Sequence, residues 1–289
     1  MTSDINEPSP TVRRRRLAAE LRRLREASGF THGEVARRLE WSPSKMTRIE
    51  GAQFVRMPGR DVRDLLDVYG VTDEGQREAL VTLARESRKR GWWAAYSDAM
   101  PETFHTYVGL EAEAATIRIY QSELVPGLLQ TEAYVRSLNY ALRPDVQEEV
   151  LDSRVAARLG RQSLLDRPDP PKLWVVLNEA VIRRPVGGRE VMRDQLYALV
   201  EASRRPHVTI QVLPFAAGPH AGMEGTFTVL GFREPMDTDV AYVEGLMGDV
   251  YLENVDEVER CHLAFDHVRA SAIPPAEART MITEVAKEM

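Results

Sequence analysis

Apolar residues in the first ninety positions recur at helical spacing, broken by short polar turns that contain glycine. Leu17, Leu21 and Leu24 share one stripe with arginines between them, and Gly29 supplies a stop. Thr31 followed by Glu34 has the form of a capping box, and Val35, Ala36 and Leu39 give a second apolar stripe. Ser42 is placed to cap a third helix with Pro43 at its first position, where a missing N–H costs nothing. Met46 and Ile49 face inward on that helix, and Gly51 ends it. Residues 60–69 (Val62, Leu65, Leu66, Tyr69, closed by Gly70) predict a fourth helix. Residues 73–90 predict a fifth, ending in the basic run from Arg85 to Arg90.

Beyond Gly91-Trp92-Trp93 the pattern changes. Helical spacing covers about 101–120, 130–141 and 145–165, and again 188–203, 255–271 and 275–288. Strand-like runs occur at Leu173–Leu177, Val208–Leu213, Phe227–Phe232, Val240–Val243 and Val250–Leu252. The expected fold is an all-α N-terminal helix-turn-helix domain plus an α+β C-terminal domain, the latter a mostly antiparallel sheet flanked by helices. The expected division is a polar, disordered tail over 1–11, the helical domain over 12–90, and a second domain over 91–289. Trp92, Trp93 and Tyr96 at the boundary read as core aromatics, with a ligand-stacking wall as the alternative. Leu124–Leu129 reads equally as an interaction loop or a buried turn.

Charge changes the picture of the first domain. The whole chain carries −6, yet residues 1–60 hold 13 Lys and Arg against 7 Asp and Glu, while the remainder holds 25 against 37. A basic module on an acidic body points to a polyanion partner for the N-terminus. One cysteine, Cys261, excludes an intramolecular disulfide and a cysteine-supported zinc site. A reducing, cytoplasmic setting is therefore expected. No apolar run is long enough for a membrane span, and no apolar stretch follows Arg13–Arg16 as a secretory leader would require.

The segment 31–51 meets the physical requirements of a DNA-reading pair of helices. A recognition helix must cross its supporting helix closely, which calls for a small residue, and Ala36 is in place. Val35, Leu39, Trp41, Met46 and Ile49 supply the inward apolar positions; Ser44, Lys45, Thr47 and Arg48 are the outward polar ones. Solvated polar residues on a surface helix would look the same one by one; the complete bihelical pattern is what separates the two readings. Arg48 suits guanine, because its planar fork matches the O6/N7 pair.

The run Thr31-His32-Gly33-Glu34-Val35-Ala36-Arg37-Arg38-Leu39, with Trp41-Ser42-Pro43-Ser44-Lys45-Met46-Thr47-Arg48-Ile49-Glu50-Gly51, resembles the Xre-type, phage-repressor-like family over about residues 13–70. The resemblance implies base-edge contacts from Pro43, Ser44, Thr47 and Arg48, and backbone contacts from His32, Ser42 and Lys45. It also implies an Arg25–Glu50 pair locking the recognition helix, against the plain alternative of two surface charges. Two positions depart from the family: His32 replaces a phosphate-contacting Gln, and Glu40 replaces a turn glycine. Glu40 is then either strained in a left-handed turn by about 1 kcal/mol, or part of a differently shaped turn.

Gly91-Trp92-Trp93, Gly109–Ala114, Val125-Pro126-Gly127-Leu128-Leu129-Gln130-Thr131, Arg183–Gly188 and Val212-Leu213-Pro214-Phe215 together resemble the actinobacterial Xre-type regulators with a shared C-terminal domain of unknown function. That resemblance implies a regulator with a sensing or partner-binding domain, or an antitoxin-like protein that mainly holds a small partner and regulates its own operon. It supplies no ligand and no cofactor. A single motif reads few base pairs, so a homodimer on an inverted-repeat operator in double-stranded DNA is expected, with a small protein partner or unknown effector for the second domain.

No enzyme is expected. His105, His207, His220, His262 and His267 are scattered, and His262 and His267 miss the helical metal-pair spacing. Pro185-Val186-Gly187-Gly188 lacks the end of a phosphate loop and reads as a turn. Glu111 and Glu113 fall on different helix faces, so they do not make an acid/base pair.

Overall fold

The computed structural model describes residues 10–289 except 55, 89–90, 97–99, 101, 235–236 and 246–247. The chain divides into two compact units, Met1–Ala95 and Tyr96–Met289. Among the described residues no helix is long and apolar enough to cross a membrane.

The first unit is five helices: α1 (Pro10–Ala27), α2 (His32–Arg38), α3 (Pro43–Glu50), α4 (Gly59–Val68) and α5 (Glu74–Glu86). Seven and eight residues are too few for α2 and α3 to persist alone in water, so packing holds them. Leu17, Leu21, Val35, Ala36, Met46, Val62, Leu65 and Leu66 form one sealed core, with Ala36 buried where α2 and α3 meet. Two residues of the tail expected over 1–11 are helical. Residues 1–9 lie outside the described residues, but Pro10 and Thr11 already belong to α1, proline being tolerated in a helix's first turn.

Arginines of the basic run after Pro10 are partly structural. Arg13 is 4% exposed and reaches Glu86 on α5, while Arg14 donates to the carbonyls of Pro10 and Phe54. The fifth helix ends at Glu86, short of the expected 90; residues 89–90 lie outside the described residues. Trp93 is buried, with Trp92 edge-on at 6.0 Å.

The second unit is α+β. Its strands are β1 (Thr116–Gln121), β2 (Lys172–Asn178), β3 (Val208–Leu213), β4 (Phe227–Gly231), β5 (Val240–Val243) and β6 (Val250–Leu252). They form one six-stranded sheet in the order β3-β2-β1-β4-β5-β6. Three pairings are antiparallel (β1–β4, β4–β5, β5–β6), and two, β1–β2 and β2–β3, are parallel. Parallel neighbours need long crossovers. These contain α7 (Glu132–Leu142) and α8 (Glu148–Gln162), then α9 (Glu179–Arg183) and α10 (Arg189–Ala202). Gly187 and Gly188 have φ of 76° and 91° and turn the chain into α10, as a turn rather than a phosphate loop.

The helix expected over 101–120 is two elements. α6 (Glu102–Glu111) stops, and Thr-Ile-Arg-Ile-Tyr-Gln enters the centre of the sheet as β1. Its alternation and branched side chains favour a strand once the four residues after Glu111 break the helix.

Two further helices close the chain, α11 (Val255–Ser271) and α12 (Pro275–Glu288). α11 covers one sheet face, where Phe265 and Val268 pack with Tyr120, Val176, Phe227, Val229 and Ala241. His262 on α11 accepts from Arg118 of β1 and donates to Asp239, tying helix to sheet. On the opposite face, Ile119, Thr228 and Tyr242 look toward α6 and α8. α12 lies against α10 and β3.

Candidate nucleic-acid interface

The interface is built on α2, the turn after it, and α3. Thr31 caps α2 through the Glu34 N–H, and Glu34 returns to the Thr31 N–H at 2.8 Å, completing the capping box. The chain leaves α2 through Glu40 at φ 56°, with the Trp41 N–H reaching back to the Ala36 carbonyl at 2.8 Å. That is a Schellman ending, whose left-handed residue is normally glycine. Of the two alternatives for Glu40, the structure adopts the left-handed turn.

Ser42 occupies the position before α3, but its hydroxyl caps nothing; it lies 3.1 Å from the Ser44 hydroxyl. The expected side-chain cap is thus absent. The Lys45 N–H already bonds the Ser42 carbonyl at 2.9 Å, so what the entry of α3 offers an anion is the Ser44 N–H and one hydroxyl of the Ser42–Ser44 pair.

The sequence-derived contact residues divide into two groups. Ser42, Pro43, Ser44, Thr47 and Arg48 are all exposed along α3 and its entry. Arg48 makes no hydrogen bond or ion pair, and Thr47 makes only a long contact to the Pro43 carbonyl at 3.5 Å. These side chains are available to a partner without breaking anything. Lys45 and His32 are already engaged. Lys45 Nζ lies 2.6 Å from Asp61 on α4 and 3.3 Å from the centre of the Trp41 ring. Of its three donors, one is spent on Asp61 and one edge rests on the aromatic face.

His32 Nε2 lies 2.8 Å from Glu50 Oε2. A carboxylate only accepts, so Nε2 carries the proton, and the neutral ring then presents Nδ1 as an acceptor. Donation from His32 to a phosphate requires the protonated ring. Sequence reasoning placed His32 at the interface without showing that it also holds Glu50.

The Arg25–Glu50 pair is present and bidentate. Arg25 Nε donates to Glu50 Oε1 at 2.7 Å and Nη2 to Oε2 at 3.0 Å, while Nη1 donates to the Phe30 carbonyl at 2.7 Å. The side chains are 12% and 5% exposed. Hydrogen bonding to Glu50 raises the Arg25 pKa above its ordinary value, outweighing desolvation. Glu50 ends α3, so the pair fixes α3 to α1, and His32 adds a third point of attachment from α2.

Arg37 and Arg56 are also exposed without a hydrogen bond or ion pair, and Arg38 stacks over Phe30 at 4.2 Å. The unit therefore presents unpaired cations around an exposed polar helix, an arrangement that matches a phosphate-lined groove.

A family model described as a helix-turn-helix domain matches residues 16–80. A second, described as a domain of unknown function (DUF5753), matches residues 104–284. No curated protein and no solved structure matches the chain. The first match and the geometry of α2 and α3 agree on a DNA-binding regulator's head. The second spans well over half of the sequence, and the chain belongs to the family defined by this domain of unknown function, DUF5753.

Proposed function

We propose that the protein is a sequence-specific transcriptional regulator of the Xre type. In this reading α3 enters the major groove, Arg48 reads a guanine, and Ser42, Ser44 and Lys45 grip the flanking phosphates. The observation that carries it is Arg48: exposed, unpartnered and outward in the last turn of a helix whose final residue, Glu50, is clamped by Arg25. A cation left free on a rigid helix is placed to meet an external acceptor. Two copies would bind an inverted repeat, because one recognition helix reads only a few base pairs. The second unit would act by binding rather than catalysis, favouring one state of the operator-bound protein over another through its differential affinity.

The test is selection of genomic fragments by the full chain, followed by footprinting. A protected inverted repeat with steep salt dependence supports the reading. A monomer protecting an unrepeated site, or retention of DNA without sequence preference, sinks it.

A further inference from the structure

The sheet face opposite α11 is not filled by side chains alone. Between it, α6, α7 and α8 lie two adjoining cavities of about 270 and 260 Å³, the first also walled by the 124–130 segment. They share Phe104, Arg143, Arg158, Arg161, Tyr242 and Glu244 in their walls. Drug-sized ligands occupy roughly 300–1,000 Å³, so each cavity suits a smaller, metabolite-sized molecule.

The walls contain polar groups that folding leaves incomplete. Arg161 is 5% exposed and gives Nε and Nη2 to the buried Glu111 at 2.9 and 2.8 Å, but its Nη1 is buried without a partner. Arg158, one turn earlier on α8, makes no hydrogen bond or ion pair. Desolvation, helped by the Arg161 charge, pulls Arg158 down to about 10. It keeps partial accessibility while surrounded by protein, as a side chain on a cavity wall does. The chain even makes room for it: a methyl group at Gly127 would collide with the Arg158 guanidinium. Gln130, 4% exposed in the same wall, leaves its Oε1 unpartnered.

A half-buried cation with no hydrogen bond or ion pair loses hydration that the more distant Glu111 and Glu244 return only in part. Packing therefore gives no reason for Arg158, whereas a bound anion does. The first cavity holds Arg143, Arg158 and Arg161 against Glu111 and Glu244, a surplus of one positive charge. Phe104 stacks on Tyr107 at 5.5 Å and Tyr107 meets Tyr242 at 4.3 Å, making an aromatic wall beside the cations.

We infer that these cavities are the receptor site for a small, singly charged organic acid. Its carboxylate is held by Arg158 and the free edge of Arg161, its planar apolar body by Phe104, Tyr107 and Tyr242. A hydroxyl or ring N–H on the acid donates to Gln130. The regulatory meaning of such binding rests on the sensing role proposed above; the binding itself does not.

The experiment is calorimetry on the full chain without DNA, titrating 4-hydroxybenzoate, 4-hydroxyphenylacetate and indole-3-carboxylate, their neutral amides, and inorganic phosphate. At least one acid binds, and its amide is weaker by about tenfold or more, the value of a charge-assisted carboxylate bond. Arg158→Gln causes a comparable loss while leaving the unliganded unfolding midpoint unchanged or raised, because no partner is stranded. Gly127→Ala, which displaces Arg158, weakens the same acid. The inference is overturned if no acid binds at millimolar concentration, if acid and amide bind alike, or if phosphate alone binds. It is equally overturned if Arg158→Gln lowers the unliganded midpoint, which would make the guanidinium structural. Operator binding is measured separately. Its loss sinks the DNA-reading proposal alone, and failure of the acids sinks this inference alone.

Discussion

Among the described residues, each unit has an arginine largely shielded from solvent and held bidentately by a glutamate, and the two pairs, Arg25–Glu50 and Arg161–Glu111, differ in completeness. In the first unit every nitrogen of Arg25 has a partner: two meet Glu50 and the third meets the Phe30 carbonyl. In the second unit Arg161 spends two nitrogens on Glu111, keeps Nη1 empty, and has the unpaired Arg158 one turn away. Arg161 also lies over Phe104 and Tyr107 at 4.8 and 5.3 Å. The same chemistry thus serves two ends. A saturated pair is a clamp, adding geometry and nothing to bind; an unsaturated pair in a cavity is part of a site. The unpaired cations follow the same division, Arg48 on an open surface and Arg158 in an enclosed one.

Breaking the pairs tests this reading, and the larger effect belongs to the deeper one. Glu111→Gln removes the only carboxylate bonded to Arg161 among the described residues, at a site where both side chains are under 5% exposed, and leaves only the more distant Glu244. The expected loss is about 3–5 kcal/mol by urea unfolding of the full chain, the cost of stranding a buried charge. A loss below about 1 kcal/mol would mean that water reaches the pair and compensates it.

Glu50→Gln should cost less, about 3 kcal/mol, because Arg25 is more exposed and keeps its bond to the Phe30 carbonyl. It should also weaken operator binding by freeing the end of α3, whereas His32→Ala, which removes a single bond to Glu50, should cost about 1 kcal/mol. Equal losses for the two variants would show that the histidine, not the arginine, carries the clamp.

What the sequence revealed and concealed follows the range of the interactions. Helix ends in the first unit are set within a few residues, so the Thr31–Glu34 box and the stops at Gly29 and Gly70 could be read directly. The strands β2 to β6 were legible as short apolar runs, with alternation in Val208–Leu213. β1 did not, because the Glu111-Ala-Glu-Ala-Ala run before it is composed of helix formers and hid the change of period at Thr116. Strand order was closed to local reading, since parallel pairing joins β1 to β2 across two intervening helices. The outward face of α3 was legible from its polarity. The attachments of Lys45 to Asp61 and of His32 to Glu50 were not, as each joins separate helices. Nothing in the local sequence sets Arg158 and Arg161 apart, and Glu111 was weighed only against Glu113. The tertiary fold is what brings all three into one cavity wall.

The contrast between free and engaged cations on α3 gives the next expectation. Arg48→Ala should relax base preference at one position per half-site, at a cost of about 1–3 kcal/mol in discrimination. Lys45→Ala should weaken binding to all sequences alike, by less than a free phosphate contact, because Lys45 must first be shared with Asp61. Binding assays on the selected and a scrambled operator decide the matter. Equal losses for Arg48→Ala on both DNAs would move the reader elsewhere on the helix.

The smallest effect concerns how the helices of the first unit end. Four of its helices close with Schellman bonds, and the left-handed residue is Gly29 after α1 and Gly70 after α4, but Glu40 after α2 and Ala52 after α3. The two ends without glycine lie on either side of α3, so strain is concentrated where the turns position that helix. A left-handed non-glycine residue costs about 1 kcal/mol. Glu40→Gly and Ala52→Gly should therefore each stabilise the first unit by no more than about 0.6 kcal/mol, after the larger chain entropy of glycine in the unfolded state is subtracted. Glu40→Gly also removes a negative charge beside the expected phosphate contacts, so it should tighten DNA binding at low salt while Ala52→Gly leaves it unchanged. Unfolding midpoints and operator titrations at two salt concentrations separate the effects. If neither variant gains stability, the left-handed geometry is held by packing strong enough to make residue type irrelevant, and the strain assigned to this turn is not there.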